Sequence, residues 1–159
     1  MTECCTVRPA TERDLDAMVE LLGLLFGQES DFVASPPRQR RGLEAILAAP
    51  TCGHLLVATP VSGRASDGEG VIGMVSVLFT ISTAEGGPAA WLEDLVVAPS
   101  HRGRGVGTAL LEAASAVCAE RGVLRLTLLT DRDNTAAQRH YARHGFRSSA
   151  MLPMRRSLR

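Results

Sequence analysis

Apolar residues recur along this chain in two rhythms, one of helices and one of strands. Leu15, Met18, Val19, Leu22, Leu25 and Phe26 keep the spacing of one helix face, and Thr11-Glu12-Arg13-Asp14 ahead of them reads as a helix start with Thr11 as N-cap. Before it, Thr6 to Arg8 reads as a short strand stopped by Pro9. A second helix is expected from Arg38 to Ala49, after Pro36-Pro37 and closed by Pro50. His54 to Thr59 and the long run Val71 to Ser82 have strand character. The Ser-, Gly- and Asp-rich loop Pro60 to Gly70 between them is the stretch expected to be disordered. Glu85-Gly86-Gly87-Pro88 is a turn, so Ala90 to Val97 returns as the antiparallel partner of a hairpin, ended by Pro99. The next helix opens near Gly105, lays Val106, Ala109, Leu110, Ala113, Val117 and Cys118 on one face, and stops at Arg121-Gly122. Leu124, Leu126 and Leu128 alternate along another strand. Asn134 to His144 forms a short helix ended by Gly145, and Phe146 to Leu158 is expected to supply one or two closing strands.

Hairpins early and a β-α-β unit late argue for an α/β fold, a mixed sheet covered by helices. With 159 residues, 45% of them apolar, and no internal repeat, one domain spanning residues 1–159 is expected. Lys+Arg and Asp+Glu both total 17, a balance that gives no grip on nucleic acid or an anionic membrane; a small ligand fits better. The longest apolar stretch, Val71 to Phe79, is too short to span a bilayer, and Met1 to Ala10 has no apolar signal core. Cys4, Cys5, Cys52 and Cys118 lack the spacing of a zinc site. A soluble cytoplasmic protein with reduced thiols and no bound metal is the expectation.

Candidate chemistry concentrates in Leu92-Glu93-Asp94-Leu95-Val96-Val97-Ala98-Pro99-Ser100-His101-Arg102-Gly103-Arg104-Gly105-Val106-Gly107-Thr108, where a strand turns through a glycine-rich loop into a helix. That arrangement is an anion cradle: glycines let the backbone approach closely, and the free amides of a first helical turn point at the ligand. The chain contains no lysine, so a Walker A nucleotide loop is disfavoured. A dinucleotide fingerprint starting at Gly103-Arg104-Gly105 would end on Thr108, where Gly or Ala is required.

Arg102-x-x-Gly105-x-Gly107 resembles the signature of the Gcn5-related N-acetyltransferase (GNAT) superfamily. The resemblance extends to the Leu95-Val96-Val97 strand before it, to Asn134 and Tyr141 seven residues apart on a later helix, to Gly145-Phe146, and to the opening Val7-Arg8-Pro9-Ala10-Thr11. It is weakest over residues 27–70. It implies a central, mostly antiparallel twisted sheet, splayed at a β-bulge and flanked by about four helices. It further implies acetyl-CoA as co-substrate, a primary amine of a small molecule as acceptor, and a homodimer.

By the same resemblance, the backbone of Leu95, Val96 and Val97 pairs with the pantetheine arm, an N–H near Leu95 polarises the thioester carbonyl, and the amides of Arg102, Gly103, Arg104, Gly105, Val106 and Gly107, with the Thr108 hydroxyl, hold the pyrophosphate. Asn134 bonds to the cofactor arm, and Tyr141 is the general acid for the departing thiolate. An alkylammonium with a pKa of about 10 must also lose a proton before it can attack. Glu93 is the leading base, because Trp91-Leu92-Glu93-Asp94-Leu95 resembles the matching strand of polyamine and glucosamine-phosphate acetyltransferases. Asp94 is expected on the opposite face of a regular strand, an alternation that a bulge would disturb. Alternative readings are a protein or peptide N-acetyltransferase, and a CoA-binding sensor or interaction module without catalysis. Among the other candidates, Trp91 suits either the core or the acceptor pocket, His140 and His144 suit exposed helix positions better than a metal pair, and Arg38, Arg40, Arg41, Arg155 and Arg156 suit solvated faces.

Overall fold

The structure, a computed structural model, describes residues 5–28, 32–61 and 70–158. The loop expected to be disordered falls largely on residues 62–69, outside the described residues. The chain divides into two compact units, Met1–Leu129 and Thr130–Arg159.

The first unit is built on a sheet of five strands, β1 (Cys5–Pro9), β2 (Gly53–Pro60), β3 (Gly73–Ser82), β4 (Gly87–Val97) and β5 (Arg125–Leu128), which lie side by side in chain order. β1 to β4 are antiparallel neighbours, and β5 joins β4 in parallel. The helices of this unit are α1 (Leu15–Phe26), α2 (Pro36–Ala48) and α3 (Val106–Glu120). Pro36 and Pro37 do not precede α2 as a break; they form its first turn, where a missing N–H costs nothing because that turn has no intrahelical acceptor.

Helices cover both faces of the sheet. Leu15, Met18, Leu21 and Leu22 of α1 and Leu43 of α2 form one buried cluster with Leu55, Val57, Met74 and Val96. α3 packs across β3 and β4 from the other side, with Val106, Leu110, Leu111, Ala114 and Cys118 buried. The buried stripe thus runs through Leu111 and Ala114, a slight rotation from the face expected from sequence, and Ala109, Ala113 and Val117 flank it half-buried. Gly73 lets α3 sit close: a Cβ there would lie 3.0 Å from Leu110 Cδ1, 3.1 Å from the Val96 carbonyl oxygen and 3.2 Å from Val106 Cγ1. Covered on both sides, β3 reads as a near-continuous apolar run.

The helix start at Thr11 has a more specific lock than an N-cap. Asp14 accepts hydrogen bonds from the Thr11 amide at 2.8 Å and from both terminal nitrogens of Arg8, at 2.7 and 2.8 Å, which ties β1 to the entry of α1. The Arg8 guanidinium, aided by the Thr11 donors, holds the buried Asp14 carboxyl down to about 2.

The second unit contains α4 (Thr135–Arg143), begun by Asn134, whose side-chain oxygen accepts from the Ala137 amide at 3.1 Å. The closing strands expected from Phe146 to Leu158 are not formed; that segment has no regular structure and exposes Met151, Leu152, Met154 and Leu158. A strand exists only where another strand takes its backbone bonds, which local apolar spacing cannot report, and Pro153 removes one donor. Among the described residues no helix is long and apolar enough to cross a membrane.

Candidate active site

Two features of the first unit meet at the end of β4. Its pairing with β5 covers Ala89 to Leu92 and stops at the Leu92–Leu128 pair, whereas β4 itself continues to Val97. Leu95, Val96 and Val97 therefore lie on a strand edge that β5 has left. Beyond them a short 3-10 turn (Pro99–His101) leads into the glycine loop and α3.

The loop is shaped by left-handed backbone at Gly103 (φ 71°) and at Gly105 (φ 88°), the N-cap residue just before α3. Glycine takes this conformation without a Cβ clash. The amide of Ala109 donates to the Gly105 carbonyl in the first turn of α3, and the Arg102 amide reaches the Pro99 carbonyl at 3.3 Å. Among the described residues the amides of Gly103, Arg104, Gly105, Val106, Gly107 and Thr108 have no hydrogen-bond acceptor. Unpaired donors at a helix N-terminus form an anion site, with the helix dipole adding to it. The Arg102 side chain does not extend toward an anion: its Nε donates to the Val97 carbonyl at 3.0 Å and pins the loop to the strand.

Just before the open edge, β4 carries a bulge. Met74 pairs with Val96 and Ser76 with Glu93, so Asp94 and Leu95 together face Val75 alone. Asp94 takes a φ of 52°, the sole positive value at a non-glycine among the described residues. The expected alternation fails here. Ser76 shares the face of its partner Glu93, and Ser76 Oγ donates to Asp94 Oδ2 at 3.0 Å, so both acidic side chains belong to the α1/α2 side of the sheet. Glu93 is exposed and Asp94 partly buried. Burial lifts the Asp94 carboxyl to about 6; the Ser76 hydrogen bond opposes the rise and the Glu93 charge adds to it. Strained backbone and a displaced pKa on one residue are what functional sites accumulate. Trp91, opposite Leu78 on the same face, is 39% exposed rather than core.

Sequence reasoning did not find Ser76. Its signal is a single hydroxyl inside the apolar run Met74 to Leu78, a pattern with meaning only once a partner across the sheet is known.

Asn134 and Tyr141 belong to the second unit. With its oxygen used in capping α4, Asn134 has its side-chain NH2 left to donate. The Tyr141 ring stands edge-on to Phe146 at 5.8 Å, and burial pushes its hydroxyl above the usual tyrosine pKa, so it stays protonated at neutral pH. The His140 and His144 rings lie 4.7 Å apart, half-buried rather than exposed.

Residues 16–146 match the acetyltransferase (GNAT) family. The aminoalkylphosphonate N-acetyltransferase of Salmonella typhimurium is 29% identical over 91% of this chain and 86% of its own length. An integron cassette protein from the mobile metagenome of Cole Harbour Salt Marsh superposes with a TM-score of 0.78 at 25% identity, over 96% of this chain and 90% of its own. An aminoglycoside N-acetyltransferase in complex with CoA gives a TM-score of 0.78 at 20% identity, covering 97% and 95%, a likeness of fold. With a mostly antiparallel sheet, a bulge before the open edge and an amide-lined loop at the head of α3, the chain belongs to the GNAT acetyltransferase family and is an N-acetyltransferase.

Proposed function

We propose that this chain, as one domain over residues 1–159, transfers the acetyl group of acetyl-CoA to the primary amine of a small molecule. The observation that carries the reading is the edge of β4 left by β5 at Leu92–Leu128 and continuing into a loop with unpaired amides from Gly103 to Thr108. An acyl-pantetheine arm needs strand-like partners and a pyrophosphate needs convergent N–H donors. The chain offers both in succession.

Acetyl-CoA supplies the activated acyl group. Gly103 to Thr108 hold its pyrophosphate through their amides and the Thr108 hydroxyl, while Leu95, Val96 and Val97 bind its arm through the backbone. The Leu95 N–H stabilises charge on the acyl oxygen. Asn134 donates its side-chain amide to the arm. Tyr141, protonated at neutral pH, gives its proton to the departing sulfur. The Glu93–Asp94 pair takes the ammonium proton. Within it the partly buried Asp94, near 6, is ionised at neutral pH yet basic enough to accept, and the exposed Glu93 leads the proton to solvent. The amine acceptors named for the Salmonella and aminoglycoside enzymes are small molecules, which supports the same class here.

The test is a comparison of kcat/KM across polyamines, amino acids, amino sugars, aminoalkylphosphonates and peptides, followed as acetyl-CoA-dependent thiol release. A small amine should exceed every peptide by at least an order of magnitude. Peptides ranking first would replace this reading with protein acetylation.

A further inference from the structure

We propose that Ser76 is a positioning residue for acetyl transfer: its hydroxyl, donating to Asp94 Oδ2, fixes the carboxylate at the bulge so that Oδ1 is presented to the amine. The inference rests on the reading of Asp94 as the proton acceptor.

Three observations lead to it. Ser76 is 1% exposed and sits between buried Val75 and Val77, in the most enclosed part of the sheet. A hydroxyl buried there without a partner would be destabilising, and its partner is Asp94, 3.0 Å away. Asp94 is also the residue that the bulge inserts and that holds a left-handed φ of 52°. A regular strand would have sent its side chain to the α3 face, away from Ser76. Bulge, backbone conformation and serine thus combine to place a carboxylate beside Glu93 on the α1/α2 face. Among the described residues Asp94 Oδ1 makes no hydrogen bond, so one oxygen is anchored and the other is available.

In the chemical step, the N–H bond of the bound ammonium breaks and an O–H bond forms at Asp94 Oδ1, freeing the nitrogen lone pair to attack the acyl carbon. That proton then passes to solvent. As the C–N bond forms and the C–S bond breaks, the nitrogen passes its second proton to Asp94 Oδ1, free again once the first has left, the departing sulfur takes the Tyr141 proton, and Tyr141 is reprotonated from solvent.

The Ser76 hydrogen bond favours the ionised carboxyl, so its removal raises the Asp94 pKa. The charged groups on the other elements packed against β4 are Asp16 and Glu20 on α1, Glu112 and Glu120 on α3, and Arg125 on β5, which is paired with Glu85. The charge that acts on Asp94 is that of Glu93.

The experiment is the pH profile of kcat/KM for wild type, Ser76→Ala, Ser76→Cys and Asp94→Asn, with the best amine of the panel. Wild-type activity should fall as pH drops through about 6. In Ser76→Ala the acid limb should move up by about one pH unit, with kcat lowered roughly tenfold at neutral pH and KM for acetyl-CoA unchanged. Ser76→Cys, close in volume and a weak donor, should move the limb in the same direction, and gives the answer if the alanine variant does not fold. An acid limb unmoved in the folded serine variants, with Asp94→Asn inactive, would leave Ser76 a packing residue and overturn the inference. Asp94→Asn turning over like wild type would instead overturn the reading of Asp94 as base.

Discussion

Replacing Gly103 by alanine isolates what the loop backbone contributes to acetyl-CoA binding. Gly103 has a φ of 71° and open space where a Cβ would go, so the substitution meets no steric neighbour and its cost is conformational. Holding alanine in the left-handed region costs about 1–2 kcal/mol. Gly122, at the other end of α3, has a φ of 67° and the same open surroundings, which makes Gly122→Ala the matched control. Each variant should lose a similar 1 kcal/mol or so, about 2–4 °C in Tm for a chain of this size. Their effects on ligand binding should differ. Relaxation of residue 103 toward negative φ turns the neighbouring amides, and each charge-assisted hydrogen bond to phosphate so lost is worth about 1.5–3 kcal/mol. Acetyl-CoA should therefore bind Gly103→Ala roughly 10- to 100-fold more weakly by calorimetry, and Gly122→Ala as tightly as wild type. Equal affinities in the two variants, alongside equal losses in Tm, would refute the cradle.

Other outcomes follow from other parts of the molecule. Tyr141→Phe should lower kcat by at least about a hundredfold with little change in acetyl-CoA affinity; unchanged turnover removes Tyr141 from the chemistry. Asp14→Asn should destabilise the fold by about 2 kcal/mol at neutral pH, from a carboxyl held near 2 against an ordinary 3.8. Because the folded pKa is the lower one, this stability is fully present above about pH 4 and is lost as pH falls toward 2; the wild-type and variant unfolding curves should converge there. Gly73→Ala should cost about 1–3 kcal/mol, since its Cβ would press on the Val96 carbonyl and on Leu110 and Val106 of α3. Denaturant unfolding within a few tenths of wild type would show that α3 can give way.

Much of this architecture was legible in the sequence because glycine and proline punctuate it. The β3–β4 hairpin, the loop from Arg102 to Thr108 and the helix after it all lie where turn chemistry and apolar period place them. Most of what the sequence did not reveal depends on a partner distant in the chain. Asp94 could not be phased from alternation, because the inserted residue is defined by its pairing with β3. Ser76, a single hydroxyl within an apolar strand, takes its meaning from Asp94 on the neighbouring strand. Arg8, well outside the site motif, gained its role from Asp14. Phe146 to Leu158 has strand-like composition without the strand, since pairing and not composition makes a sheet. The start of α2 failed locally instead: Pro36-Pro37 reads equally as a break or as a first turn.

The central claim is that the donor is held by the loop amides and the open edge of β4. The direct measurement is a titration of the 15N-labelled protein with CoA, following backbone amide resonances. The largest shifts should fall on Gly103 to Thr108 and on Leu95 to Val97, with those of β1 and β2 nearly still. Saturable binding that leaves residues 95–97 and 103–108 unmoved, and shifts another region, would contradict the account.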